Sequence, residues 1–92
     1  MSDEVYEGAY LEAFQKVFDL SRDCQKKFES KAAYIEVARQ LETIVATTVE
    51  KFKNETSDPN KYSLLRKVCF RASKVAMSDC FEIGYDLSLI HI

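Results

Sequence analysis

Apolar residues recur along this chain in steps of three and four. In the first stretch Tyr10, Phe14, Val17, Cys24 and Phe28 keep that spacing, Ser21 fills the one gap, and Leu11, Phe18 and Leu20 widen the stripe. The pattern predicts a helix over about residues 3–28. Asp3, Glu4, Glu7 and Glu12 precede the first cation, Lys16, and Lys26 and Lys27 close the stretch, an order that complements a helix dipole. A second stripe runs through Tyr34, Val37, Ala38, Leu41, Ile44, Val45, Thr48, Val49 and Phe52, with Ser30 as its N-cap, and predicts a helix over 30–54. The β-branched run from Ile44 to Val49 reads locally as strand, but the helical period continues through it on both sides. After a polar loop over 54–60, Asp58 as N-cap and Pro59 as first helical residue open a third helix over 58–83. It carries Leu65, Val68, Cys69, Ala72, Val75, Ala76, Cys80 and Ile83, and Gly84 is the natural left-handed residue to end it.

Three such segments in 92 residues make an all-α, up-down helical bundle and one domain. Two glycines and one proline are too few for the turns of a sandwich or barrel, and six phenylalanines with five tyrosines exclude a disordered chain. The apolar faces are wide, because Leu11, Phe18, Leu64 and Phe81 fall beside the main stripes. A three-helix unit of this kind is expected to recruit a fourth helix or an identical partner, so a homo-oligomer is anticipated. No stretch approaches the ~20 apolar residues of a membrane span, and the acidic start is unlike a signal peptide. The expectation is a cytoplasmic protein without a membrane partner. Cys69 and Cys80, eleven residues apart on one helix, would stand ~16 Å apart along its axis, beyond the ~7 Å reach of a disulfide. Together with Cys24 they read as buried thiols in a reducing compartment.

The last six residues, Leu87 to Ile92, resemble the in-frame translation of a sequencing-library adapter. That reading confines the domain to residues 1–86, makes 87–92 a non-native or disordered tail, and leaves a four-helix bundle lacking its last helix. The alternative is an apolar tail packed on the bundle.

Catalytic chemistry is hard to assemble from these residues. The single histidine is His91, and without it there is no Ser/His/Asp or Cys/His set. Neither a glycine-rich phosphate loop nor the Glu-x-x-His ligands of bundle metal enzymes occur. A non-enzymatic protein is expected, with no cofactor, no metal and no small-molecule substrate. Charge placement says more. Lys61, Arg66, Lys67, Arg71 and Lys74 fall in a stretch without a carboxylate, and the last three share one helix face, whereas residues 3–12 hold four carboxylates and no cation. The basic stripe is open to three readings: a solvated face, a surface that displaces counterions from phosphates, or a partner for the acidic start of helix one. Tyr62 beside these cations is either a core residue or a stacking platform for a base.

The layout resembles the small four-helix-bundle proteins of ribosomal-RNA intervening sequences and their relatives, the accessory variability determinants of diversity-generating retroelements. Lys27-Phe28 sits at the family's first junction, with Glu29 where proline is usual. Arg39-Gln40-Leu41-Glu42 falls in helix two, and Gly84-Tyr85-Asp86-Leu87-Ser88 looks like the corner after helix three. The resemblance implies a ring-forming bundle without enzymatic activity that binds structured RNA and a reverse transcriptase. Its RNA contacts would fall on Lys61, Arg66, Lys67, Arg71 and Lys74, with Arg39 and Lys31 on helix two, each touching phosphate without reading sequence. The alternative function is a protein–protein adaptor or inhibitor of phage or mobile-element origin, docking through an apolar helix face.

Overall fold

The computed structural model describes the backbone of residues 2–82 and the side chains of residues 4–82. Three helices, α1 (Ser2–Lys27), α2 (Ser30–Phe52) and α3 (Lys61–Phe81), form the all-α bundle that the periodicity predicts, and no strand occurs among the described residues. Gly84, the corner at 84–88, the tail 87–92 and His91 lie outside the described residues.

Contacts between the helices give the up-down order. Lys51 at the end of α2 reaches Glu12 near the start of α1 at 3.0 Å, so these two run antiparallel. Cys69 meets the carbonyl of Ala9, and Cys80 meets Gln25, so α3 returns alongside α1 in the same direction. The longest molecular dimension, 43 Å, follows from α1, whose 26 residues at about 1.5 Å each reach about 39 Å.

The helix ends differ in detail from the sequence expectation. Glu29, in extended conformation, occupies the N-cap of α2, and Ser30 is already helical. Helix α3 begins at Lys61 rather than 58 because Asp58 and Pro59 are spent on a turn. The Lys61 N–H donates to the Asp58 carbonyl at 3.1 Å, and the Asn60 N–H donates to the Asp58 carboxylate at 2.8 Å. Proline suits the second position of such a turn, where φ is preset and no N–H is required. The Tyr6 hydroxyl donates to the other Asp58 oxygen at 3.2 Å and ties this turn to the start of α1. Helix α2 stops at Phe52 and tightens into a single 3-10 turn over Lys53–Glu55. At the far end of α3, Glu82 takes the left-handed conformation (φ 56°), two residues before Gly84.

The core is built on smaller residues than the stripe suggests. On α1 the fully enclosed row is Ala9, Ala13, Val17, Ser21 and Cys24, while Tyr10 and Phe14 are half-buried beside it and Phe28 is exposed. Small residues in steps of four let the helix axes approach closely. The aromatics then stack along the flank, Tyr10 on Phe14 at 6.4 Å and Phe14 on Phe18 at 5.8 Å between ring centres. Gly8 serves the same purpose, since a β-carbon there would stand 3.1 Å from the Phe52 ring. One cluster joins Ala9, Ala13, Val45, Val49, Leu65, Cys69 and Ala72; a second joins Val17, Cys24, Ala33, Val37, Ala76 and Met77. Phe14 packs against both. Ala38, placed in the α2 stripe by its spacing, faces solvent, and Val68 and Val75 are half-buried. Phe18 and Phe81 find cover, Phe81 edge-on to Tyr34 at 5.5 Å, whereas Leu11 and Leu64 remain 66% and 37% exposed.

Within the β-branched stretch of α2 the threonines bond backward along the helix. Thr47 donates to the Thr43 carbonyl and Thr48 to the Ile44 carbonyl, at 2.7 and 2.8 Å, so the buried Thr48 hydroxyl is satisfied. Ser73 does the same with Cys69. Ser21 does not: its buried Oγ has no hydrogen-bond partner. An unsatisfied buried hydroxyl costs about 1–3 kcal/mol and alanine is the better helix former. Ser21→Ala is therefore expected to stabilise by about 1 kcal/mol, seen as a rise of about 4–8 °C in melting temperature. An unchanged or lower melting temperature would show that this hydroxyl is satisfied in solution.

Candidate nucleic-acid interface

Helix α3 buries Leu65, Cys69, Ala72, Ser73, Ala76 and Met77. Lys67, Arg71 and Lys74, in steps of four and three, therefore lie on the side turned away from the core, and all three are exposed. None of them stands within ion-pair distance of a carboxylate among the described residues. The acidic start of α1 does not neutralise them. Glu12 is engaged by Lys51 and Lys16 at 3.0 and 3.3 Å, and hydrogen bonding to Lys51, above all, pulls its carboxyl below the ordinary range.

The remaining sequence candidates are placed less freely. Lys61 is half-buried at the first turn of α3. Arg66 points toward α2, where Glu42 lies 3.9 Å away. Arg39 is held by Glu36 on its own helix at 3.4 Å, and Lys31 is exposed at the start of α2. The three readings of the stripe thus narrow. Among the described residues none of these three pairs with the acidic start of α1, and the continuous basic surface consists of Lys67, Arg71 and Lys74.

Aromatic side chains border this surface. Tyr62 and Phe70 are 48% and 39% exposed, so Tyr62 is not a core residue. The ammonium of Lys53 lies 5.7 Å from the Tyr62 ring centre, and that of Lys74 lies 5.4 Å from the Phe70 ring. Lys53 also binds Glu50 at 2.8 Å, and these contacts, the Glu50 bond foremost, raise its pKa. Spacing alone could have flagged Phe70, which stands four residues from both Arg66 and Lys74. Lys53 could not be found that way, because the 3-10 turn is what brings it to Tyr62.

A cleft of about 340 Å³ between the end of α1 and α2 is lined by Leu20, Asp23, Cys24, Lys27, Phe28, Glu36 and Gln40. Within it Gln40 donates to Glu36 at 2.8 Å. Burial pushes the thiols of Cys24 and Cys80 up and that of Cys69 to about 11, away from the reactive thiolate form. Cys24 and Cys69 are buried as expected, but Cys80 is only half-buried. Among the described residues no group of His, Cys, Asp and Glu could hold a metal ion, and no helix is long and apolar enough to cross a membrane. No protein-family model, curated protein or solved structure matches the chain.

Proposed function

We propose that this chain is a non-enzymatic, oligomeric helical binding module that contacts structured RNA through the outer face of α3. In this reading it is an accessory protein of a diversity-generating retroelement, working beside a reverse transcriptase in the cytoplasm. The observation that carries the RNA reading is the cluster Lys67, Arg71 and Lys74, exposed together without a carboxylate partner among the described residues. Lysine and arginine in such a cluster displace counterions from a phosphate backbone, a contact that needs no base readout. Leu11 and Leu64, left exposed, favour the oligomer: a second subunit would remove them from water.

The same exposed leucines favour a second reading, a protein–protein adaptor that docks through apolar surface and ignores nucleic acid. Salt separates the two. Three phosphate contacts on a duplex give a log–log slope of about −2.7, hence roughly a 40-fold loss of affinity over a fourfold rise in salt. Apolar docking changes little over that range. A titration of a labelled RNA hairpin at several salt concentrations reads the slope directly. Binding that is absent at low salt, or present but independent of salt, overturns the phosphate reading.

A further inference from the structure

Tyr62, Arg66, Phe70 and Lys74 occupy successive steps of four on α3, so they lie along one ridge of the helix, aromatic and cation in alternation. Tyr62 and Phe70 are 48% and 39% exposed, and each ring has an ammonium over it within 6 Å of its centre, Lys53 over Tyr62 and Lys74 over Phe70. Exposed aromatics scattered singly are ordinary. Two of them, interleaved with cations and each accompanied by its own lysine, form the combination that holds single-stranded nucleic acid, with the ring under a base and the cation on the adjoining phosphate.

We infer that this ridge binds unpaired nucleotides, so that the preferred ligand of α3 is single-stranded RNA, such as a loop or free end, and not duplex. The inference rests on the RNA reading of the same helix. The dimensions select the unpaired form. Tyr62 and Phe70 are eight residues apart, about 12 Å along the axis. That is more than three times the stacked rise of about 3.4 Å per nucleotide. The rings therefore engage bases splayed away from one another, and a duplex holds its bases inside a continuous stack. Arg66 faces Glu42 at 3.9 Å and Lys53 binds Glu50 at 2.8 Å, so a carboxylate opposes phosphate at both, which leaves Lys74 as the anchor of the ridge.

The test compares a short fluorescein-labelled oligouridylate with a blunt RNA duplex of equal length, by anisotropy at low salt on the full chain. Tyr62→Ala and Phe70→Ala are each expected to weaken oligouridylate binding about tenfold, as loss of one base stack does, and to leave duplex binding unchanged. Both positions are exposed, and unchanged helical circular dichroism verifies that the variants are folded. Lys67→Glu with Arg71→Glu should abolish binding of both ligands. If the aromatic variants bind oligouridylate like the parent while the charge reversal still abolishes binding, the stacking ridge is refuted and the phosphate surface stands. If neither ligand binds the parent chain, both inferences fall.

Discussion

Leu65→Ala is expected to lower the melting temperature by about 8–40 °C. Leu65 is the largest side chain with no exposed surface, and it closes the cluster in which all three helices meet. Removing a fully buried leucine costs about 2–5 kcal/mol, because the lost transfer energy is joined by the cavity left behind. Each kcal/mol moves the midpoint of a domain this small by about 4–8 °C. The loss is a large share of the ~5–14 kcal/mol total stability usual at this length. Ser63, two residues away and exposed, provides the control: Ser63→Ala should stay within about 0.5 kcal/mol of the parent. Equal effects at the two positions would mean that α3 is rotated from the orientation described above. Thermal circular dichroism of the pair decides it.

The double charge reversal Lys67→Glu with Arg71→Glu is expected to abolish RNA binding while leaving the fold intact. Neither residue contributes an ion pair with a described carboxylate, so no packing or pairing is lost with them. Reversal removes two of the three cations of the surface and puts two carboxylates against the phosphates in their place. Neutralising the same pair, Lys67→Gln with Arg71→Gln, should leave measurable binding whose salt slope is smaller by roughly 1.8, the share of two duplex phosphate contacts. An unaltered slope with unaltered affinity would place the RNA contact elsewhere on the molecule. A changed melting temperature would instead assign these residues a structural part.

The three-helix architecture was legible because apolar spacing and charge order agree, whereas the cap residues fell a little off: Glu29 and not Ser30 precedes α2, and Asp58 and Pro59 form a turn before α3. Even the β-branched run in α2, which pulls locally toward strand, was outvoted by the period on either side of it. The stripe on α1 was legible only to within one position. Its spacing selects Val17, Ser21 and Cys24, which are buried, but also Tyr10 and Phe14, where the enclosed positions are the neighbouring Ala9 and Ala13. Periodicity finds the apolar side of a helix, and a row of small residues beside a row of large ones satisfies the same period. Interhelical distance breaks that tie, and it exists only once the helices are packed.

The basic residues were visible as a charge run, and Lys67, Arg71 and Lys74 as one face of it. What the run alone left open was whether that face is free. The answer depends on which side of α3 packs: Leu65, Cys69 and Ala72 turn inward against residues as distant as Ala9, which leaves Lys67, Arg71 and Lys74 exposed. The aromatic part of the surface divides in the same way. Phe70 is placed between Arg66 and Lys74 by its helical spacing, whereas the exposure of Tyr62 and the approach of Lys53 follow from the turn at the end of α2. Sequence by itself determined the helices, their polarity and the sign of charge on each. Tertiary structure alone decided which side chains touch and which face water, because both depend on contacts between residues far apart in the chain.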